Sequence, residues 1–246
     1  MISNAPVYWF EDIDSTSEEA KRRARSGDTS PVWIAAREQL AGRGRLGRQW
    51  NSPVGNLYTT VLFPEPGGLP QAAKVPFAAA LAVRDACAKV TPGLEPQLKW
   101  PNDVRVDGAK LSGILTESGE TNGVIWIALG MGINVRFAPD AGNQASSCLL
   151  NLGANPGLQP EHVLDVLRET VDRRLRQARD DFPGLLEDWL EYAEGHGQTV
   201  EAGPVTDRAS GVFEGLAPDG GLILRLPDGQ RQTIRAGDVD LVRQVD

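Results

Sequence analysis

A chain of 246 residues with 41 % hydrophobic content can bury a sizeable core, either as one large domain or as one large and one small domain. Its formal net charge of −8 argues against non-specific binding to nucleic acids, because the phosphate backbone is also negative. Cys87 and Cys148 form no CxxC pair, and no signal-peptide or membrane-spanning pattern occurs, so we expect a protein of the reducing cytoplasm without disulfides, a zinc site or a membrane anchor.

The first part of the chain alternates predicted helices and strands. Apolar residues at helical spacing indicate the helices, and runs rich in β-branched and aromatic residues indicate the strands. Ser15 to Ser17 offer cap oxygens to the first helix, and Glu18 and Glu19 fall in its first turn. In chain order we predict helix 17–25, strand 32–36, a long loop 37–55, strand 57–63, helix 71–90, strands around 96–100, 111–118 and 124–129, and helices 161–179 and 184–194.

After residue 195 the pattern changes to short β-type runs. These are QTVEA, GVFEGL, LILRL, QTIRA and VDLVR, and Pro-Asp-Gly turns at 218–220 and 227–229 flank LILRL. Asp-Gly between two β-runs is a strong hairpin signal. We therefore place a boundary near Gly195 and predict a catalytic domain over 1–195 and a small β-barrel-like domain over 196–246.

The segment GRGRLGR at 42–48 satisfies the pattern GxGxxG and follows a predicted strand. The dinucleotide-binding fold needs a helix directly after the last glycine, but Pro53 and Gly55 follow here, and the valine of the kinase glycine loop is missing. Glycines that permit close backbone approach, interleaved with the planar donor forks of arginine, favour a loop that grips a phosphate or carboxylate over a merely solvated basic loop. The arginines are Arg43, Arg45 and Arg48, and the glycines are Gly42, Gly44 and Gly47.

Three further motifs are individually weak. KWPND at 99–103 presents Asn102 and Asp103 at a turn, which an Asx turn after a strand also explains. KLSGIL at 110–115 begins a strand with Lys110, a type of residue that is more often solvated than functional. LGMGINV at 129–135 suits backbone contact with a ligand, or simply a β-bulge.

Taken together, in this order and spacing, GRGRxGRxW, KWPND, KLxGIL and the GxGIN-type segment resemble the catalytic domain of biotin–protein ligases over about residues 14–134. The resemblance implies an α+β fold, with a mixed β-sheet and packed helices as in class II synthetases, plus a small SH3-like β-barrel C-terminal domain. It implies a ligase that makes biotinyl-5′-AMP from biotin and ATP with Mg²⁺, and then passes biotin to one lysine of a biotin carboxyl carrier protein. Only about a dozen residues precede Asp14, so we expect the monofunctional type, without a DNA-binding domain.

The resemblance also assigns residues to the two ligands. Ser17 stands where the family usually has asparagine, so its hydroxyl keeps one hydrogen bond of that amide. The biotin contacts implied are Ser15, Thr16, Ser17, Gln39, Arg43, Gly44, Arg45, Lys110 and Gly113. The ATP and adenylate contacts implied are Arg43, Arg45, Arg48, Trp50, Asn102, Lys110, Gly132 and Asn134. For catalysis we expect Arg45 and Lys110 to neutralise developing charge and Asp103 to orient the acceptor amine; no metal ligands are assigned.

Three alternatives remain open at this point. The chain could be a lipoate–protein ligase-like acyl transferase, which shares the fold and the adenylate chemistry. It could be a non-catalytic biotin-binding regulator, although such a protein needs no phosphate grip. A DNA-binding repressor is disfavoured by the acidic balance, and the sequence leaves the choice between monomer and homodimer open.

Overall fold

The computed structural model describes residues 1–139 and 145–242, and a seven-stranded sheet is formed by strands between residues 7 and 133. Its strands are Val7–Ile13 (β1), Val32–Gln39 (β2), Leu57–Pro64 (β3), Gln97–Lys99 (β4), Asp103–Val106 (β5), Ala109–Thr121 (β6) and Val124–Ile133 (β7). The order across the sheet is β1-β2-β3-β7-β6-β5-β4. β1 and β2 run parallel, and the other neighbouring strands are antiparallel, so the sheet is mixed as predicted.

Helices cover both faces of this sheet. They are Thr16–Arg25 (α1), Gly68–Ala72 (α2), Val75–Val90 (α3), Pro160–Asp180 (α4) and Phe182–Glu191 (α5). Successive side chains of a strand point to opposite faces. In β2, Trp33 joins the apolar cluster formed with α3, α4 and α5, whereas Ile34 joins a smaller cluster with Ala20 and Ala24 of α1. The α+β fold with packed helices is therefore confirmed, with α1 alone on one face.

Several predicted boundaries differ from the structure. The helix expected over 71–90 is divided into α2 and α3 around Lys74, and Pro76 lies in the first turn of α3, where its missing N–H is harmless. β1 was not predicted, because this edge strand exposes Tyr8, Glu11 and Asp12 and shows no clear alternation. β5 was also missed, since its four residues become a strand only by pairing with β4 and β6.

The C-terminal part forms a second sheet of five strands. They are Thr199–Gly203 (β8), Ala209–Leu216 (β9), Leu222–Arg225 (β10), Arg231–Ile234 (β11) and Asp238–Leu241 (β12), in the order β11-β10-β9-β8-β12. All neighbouring pairs are antiparallel, and the two Pro-Asp-Gly turns join β9 to β10 and β10 to β11, as the hairpin signals predicted. The SH3-like description fits this small sheet. Residues 243–246, the end of the predicted tail, lie outside the described residues.

The two sheets share one apolar core. Val200, Phe213 and Leu224 of the small sheet belong to the same buried cluster as α3, α4 and α5. The chain just before residue 195 also extends the large sheet, because Leu98 N–H donates to Tyr192 O at 2.8 Å and Glu194 N–H donates to Leu98 O at 2.9 Å. The small sheet is therefore packed firmly against the large one.

The described residues include no helix that is long and apolar enough to cross a membrane. Cys87 and Cys148 are both buried free thiols. Burial raises the pKa of the Cys87 thiol to about 12, so this thiol stays protonated at neutral pH.

Candidate active site

A cavity of about 550 Å³ lies on the α1 face of the large sheet, between residues 39–51, the strands β6 and β7, and the start of β12. All fifteen residues that the sequence analysis assigned to ligands or catalysis line it. Among the described residues, its lining contains five cationic side chains against two carboxylates. The cations are Arg43, Arg45, Arg48, Lys99 and Lys110, and the carboxylates are Asp103 and Asp238. In a chain whose net charge is −8, this local excess of positive charge suits an anionic ligand.

One end of the cavity is lined by hydroxyl and amide groups at the start of α1. Ser15 occupies the N-cap position of α1, but its side chain makes no capping hydrogen bond to any described residue. The prediction that Ser15 to Ser17 cap α1 through their own oxygens is therefore wrong. Instead, Gln39 Oε1 accepts from Thr16 N–H at 2.9 Å and from the Thr16 hydroxyl at 3.1 Å. Thr16 and Ser17 are both buried. The helix start is thus held by a side chain from the end of β2, which brings the predicted biotin residues together.

The arginine loop folds back on itself as an irregular hairpin rather than remaining unstructured. Trp50 N–H donates to Gly42 O at 2.9 Å, and a Cβ on Gly42 would lie 2.5 Å from Trp50 O, so only glycine fits there. Gly47 takes a φ of +73°, the left-handed conformation that favours glycine. Gly44 shows neither a left-handed conformation nor a close backbone approach. Its backbone is extended, and the described atom nearest to its Cβ position, Arg48 O, lies 3.6 Å away.

Two arginines of this loop cross the cavity to the small sheet. Arg48 Nη2 lies 2.7 Å from Asp238 Oδ2, and Arg45 Nη1 lies 3.5 Å from Asp238 Oδ1. Burial raises the pKa of the Asp238 carboxyl, but the hydrogen bond from Arg48 and the nearby positive charges outweigh it and leave the pKa below its usual value. The hydrogen bond that Arg48 donates to Asp238 also raises the pKa of Arg48. Arg43, by contrast, is exposed and lies 3.6 Å from Glu18.

Asn102 and Asp103 of the KWPND motif each contact a cationic side chain of the cavity. The Arg45 guanidinium donates to Asn102 Oδ1 at 2.8 Å, while Asn102 Nδ2 donates to Ile114 O on β6 at 2.9 Å. Lys110 Nζ lies 2.7 Å from Asp103 Oδ1, and both side chains are largely buried. The carboxylate expected to orient an acceptor amine therefore already faces an ammonium group of the protein itself.

Trp50 lies flat against the sheet beneath the loop. A Cβ on Gly113 would lie 2.9 Å from the Trp50 ring, and a Cβ on Gly132 would lie 2.7 Å from it. The predicted close approach at these glycines thus involves the indole ring, which also has Lys110 Nζ at 5.3 Å from its centroid. The two glycines hold the ring against β6 and β7, inside the cavity.

Asn134, which follows the last residue of β7, lines the cavity and has a buried side-chain oxygen without a described hydrogen-bond partner. Its Nδ2 donates to Ser147 O at 2.9 Å and its backbone N–H donates to Leu111 O at 2.9 Å. No described residue donates to the buried Oδ1 atom. A buried acceptor without a partner is costly, so this oxygen is suited to receive an N–H from a ligand.

The sequence analysis did not name several residues of this region. Lys99 is nine-tenths buried, lines the cavity and pairs with Asp240 at 2.8 Å; the KWPND motif pointed to its neighbours only. Tyr58 and Gly130 line the cavity from β3 and β7. Asp238 comes from a strand almost two hundred residues after the arginine loop, and nothing local in the sequence links the two. The two histidines, His162 and His196, are exposed outside the cavity, as expected.

Comparison with known proteins gives a consistent result. Residues 9–134 match the model of the biotin/lipoate A/B protein ligase family, and residues 195–242 match that of the biotin protein ligase C-terminal domain. The chain is 40 % identical over 241 residues to biotin–[acetyl-CoA-carboxylase] ligase of Paracoccus denitrificans, covering 92 % of this chain and 96 % of the relative. It is 30 % identical to the bifunctional ligase/repressor BirA of Escherichia coli, covering 93 % of this chain and 72 % of that protein.

Solved structures show the same architecture. Biotin protein ligase from Aquifex aeolicus, in complex with biotin and ATP, superposes with a TM-score of 0.81 at 27 % identity. The superposition covers 97 % of this chain and 99 % of that one. The likeness therefore includes the small C-terminal sheet as well as the large one.

Proposed function

The chain belongs to the biotin/lipoate A/B protein ligase family, and on that premise we propose that it uses ATP to convert biotin into biotinyl-5′-AMP and then transfers biotin to a lysine of a biotin carboxyl carrier protein. One observation carries the proposal: a single cavity joins an uncharged end of hydroxyl and amide groups to an end where cationic side chains outnumber carboxylates. A bicyclic ureido ring suits the first end, and a carboxylate beside a triphosphate suits the second.

Biotin occupies the end near α1 in this proposal. The side chains of Ser15, Thr16, Ser17 and Gln39 offer hydrogen bonds to the ureido ring. The carboxylate of biotin then points towards Lys110 and Arg43, and the open backbone at Gly44 leaves room for the ligand.

ATP occupies the end near the small sheet. Arg45, Arg48 and Lys110 bind the phosphates, with Asn102 holding Arg45 in place. The unpaired Asn134 Oδ1 accepts a hydrogen bond from the adenine amino group, and Trp50 packs near the base above Gly132.

Mg²⁺ enters this site together with ATP. The described residues contain no group of three or more His, Cys, Asp or Glu side chains that could hold a metal, and both carboxylates of the lining pair with cations. This donor set fits an ion that is held mainly by phosphate oxygens, which is the usual state of Mg²⁺ in nucleotide sites. The ion supplies further positive charge to the phosphates.

In the first step, a carboxylate oxygen of biotin attacks the α-phosphorus of ATP, and pyrophosphate leaves with the electron pair of the broken P–O bond. The carboxylate is ionised at neutral pH, so no general base is needed. The barrier comes from bringing two anions together, and Lys110, Arg43 and Arg45 lower it by positioning the reactants and neutralising charge.

In the second step, the neutral amine of the carrier lysine attacks the acyl carbon of biotinyl-5′-AMP, and AMP leaves. The amine nitrogen loses a proton to solvent as the new C–N bond forms, and the electron pair of the broken acyl C–O bond leaves with AMP. We assign Asp103 to orient this amine. Before the amine arrives, Asp103 Oδ1 is paired with Lys110 Nζ at 2.7 Å.

Biotin-dependent exchange of labelled pyrophosphate into ATP tests the first step, and labelling of a purified carrier domain tests the second. We expect exchange with biotin and none with lipoate at the same concentration. Exchange supported by lipoate alone would reassign the chain to lipoate ligation, and biotin binding without any exchange would indicate a non-catalytic regulator.

Four finer assignments belong to the same proposal. Residues 1–195 act as the catalytic domain and 196–246 as the C-terminal domain, supported by the separate match of residues 195–242. The protein works in the cytoplasm, supported by its two buried free thiols. It does not bind operator DNA, supported by its net charge of −8, and a mobility-shift assay with operator DNA tests this. The protein acts as a monomer or a homodimer, and sedimentation distinguishes the two.

A further inference from the structure

A chain of buried hydroxyl groups lies at the proposed biotin end of the cavity. It consists of Ser17, Thr60 and Thr16, and it ends on the carboxamide of Gln39. Thr60 lies on β3, is fully buried and is not part of the cavity lining. We propose that Thr60 is a positioning residue that turns the Ser17 hydroxyl into a hydrogen-bond acceptor for a ureido N–H of biotin; this inference rests on the proposed function.

The direction of the first hydrogen bond is fixed by the backbone. Thr16 N–H can only donate, and it lies 2.9 Å from Gln39 Oε1, so this atom is the carboxamide oxygen. Gln39 Nε2 accordingly donates to Ser52 Oγ at 2.9 Å. The Thr16 hydroxyl lies 3.1 Å from the same oxygen. Since Gln39 Oε1 cannot donate, the Thr16 hydroxyl must donate to it.

The remaining directions follow because each hydroxyl carries one proton. Thr16 has used its proton on Gln39, so across the 2.8 Å contact with Thr60 it accepts and Thr60 donates. Thr60 has then used its own proton, so across the 3.2 Å contact Ser17 donates to Thr60. The proton of Ser17 therefore points into the protein, and the Ser17 oxygen presents only lone pairs to the cavity.

Gly130, the register partner of Thr60 on β7, lies beside this oxygen, and both Gly130 and Ser17 line the cavity. A Cβ on Gly130 would lie 2.8 Å from Ser17 Oγ, so glycine at this position of β7 makes room for the hydroxyl. A ureido group carries two N–H donors and one carbonyl acceptor. An oxygen without an available proton attracts the donors and repels the carbonyl, so Thr60 determines which edge of the ring faces Ser17.

The test compares equilibrium binding of biotin with the KM for ATP in pyrophosphate exchange. Thr60→Val keeps the size of the side chain and removes the hydroxyl, which frees the Ser17 proton. We expect the Kd for biotin to rise by about tenfold, as for loss of one well-placed hydrogen bond, while the KM for ATP stays within about twofold. Thr60→Ser keeps the hydroxyl and should restore biotin binding.

A double-mutant cycle separates this role from a structural one. If Thr60 acts through Ser17, Thr60→Val adds nothing to the loss caused by Ser17→Ala. The matched control is Thr170→Val: Thr170 is a buried threonine of α4 outside the cavity, and its hydroxyl donates to Ala82 O at 2.9 Å. This control variant should lower the stability of the fold and leave the ratio of the Kd for biotin to the KM for ATP unchanged.

Additive losses in the cycle, or equal weakening of biotin and ATP by Thr60→Val, would overturn the inference. If Thr60→Val does not fold, Thr60→Ala takes its place in the cycle, with the same outcomes. Absence of biotin-dependent exchange in the wild-type protein would instead contradict the proposed function itself, so the two failures are distinguishable.

Discussion

At the scale of single residues, the site is organised by cations that each have a defined partner. Arg45 donates to Asn102, Arg48 pairs with Asp238, Lys110 with Asp103 and Lys99 with Asp240. These pairs keep the positive groups in place before an anion arrives. The role of each pair can therefore be tested by removing one partner at a time.

Replacing Arg45 with glycine or alanine should release the acyl-adenylate. Arg45 reaches from the loop to Asn102, and its loss removes one positive charge from the cavity lining. We expect faster escape of biotinyl-5′-AMP, by about tenfold or more, and labelling of lysines on unrelated proteins in the same mixture. Mass spectrometry of a bystander protein measures this, with Arg37→Ala, an arginine outside the cavity, as the control. Tight retention of the intermediate by the Arg45 variants would refute this role.

Asp103 should matter mainly for the second step. With preformed biotinyl-5′-AMP, Asp103→Ala should slow transfer to a carrier domain by about a hundredfold, because the acceptor amine loses the group that orients it. Asp103→Asn, which keeps the shape, tests whether charge is needed. Rapid-quench measurement of single-turnover transfer gives the rate. Transfer at the wild-type rate in both variants would remove Asp103 from the proposed mechanism.

At the scale of elements, β6 and β7 form a smooth floor because glycine replaces larger residues at two facing positions. Gly113 and Gly132 are register partners, and the Trp50 ring lies over both. The ring holds the end of the arginine loop against the sheet. A methyl group at either position would push the ring, and with it the loop, away from the sheet.

Gly132→Ala should therefore weaken ATP binding. The added Cβ would lie 2.7 Å from the Trp50 ring, closer than van der Waals contact permits. Overpacking of this kind costs about 1–3 kcal/mol, so we expect the KM for ATP to rise by about tenfold. The control is Gly215→Ala on β9, where no described atom lies within 4 Å of the new Cβ. Unchanged ATP affinity in Gly132→Ala would show that the ring does not contribute to the nucleotide site.

At the scale of the whole molecule, the small sheet completes the cavity that the large sheet begins. Its turn at 218–220 rests on α3 and on the KWPND segment, where Trp100 Nε1 donates to Gly220 O at 3.2 Å. Its last described strand contributes Asp238 to the arginine loop. A displacement of the small sheet should therefore displace the arginine loop at the proposed phosphate-binding end of the cavity.

Two equivalent turn glycines allow this coupling to be measured. Gly220 and Gly229 have φ values of +83° and +84°, so alanine is strained equally at both, by about 1–2 kcal/mol. A Cβ on Gly220 would also clash with Phe77 of α3, whereas no described atom lies within 4 Å of the Gly229 position. We expect Gly220→Ala to lower the Tm clearly more than Gly229→Ala and to raise the KM for ATP. Equal effects of the two variants would mean that the contact with α3 is unimportant.

The contact through Asp238 should depend on pH in a defined direction. The folded pKa of this carboxyl is lowered, so its contribution is present above the unfolded value of about 4 and is lost as the pH falls through the lower folded value. The difference in Tm between wild type and Asp238→Asn should therefore be present at pH 7, begin to shrink near about pH 4 and vanish only below the lowered folded pKa. Glu191→Gln, an exposed substitution at the end of α5, is the control. A difference that persists in acid would contradict the ion pair.

Short sequence patterns predicted many of the residues that line this cavity, because each pattern places a polar side chain next to the strand or turn that carries it. GRGRLGR, KWPND, KLSGIL and LGMGINV each combine a strand or a turn with one polar group, and all four contribute to one cavity. Strand propensity did not predict β1, an edge strand of seven residues, or β5, a strand of four residues, because hydrogen bonds from neighbouring strands decide their structure.

The sequence by itself determined the family, the type of fold and the cationic loop, because spacing, charge and turn chemistry are local properties. Only the tertiary structure decided which atoms meet across long separations, such as Arg48 with Asp238 or Thr60 with Thr16 and Ser17. It also decided that Gln39, and not a serine, caps α1. These contacts depend on the packing of whole sheets and helices, since a side chain a few ångströms from its partner can lie a hundred or more residues away along the chain.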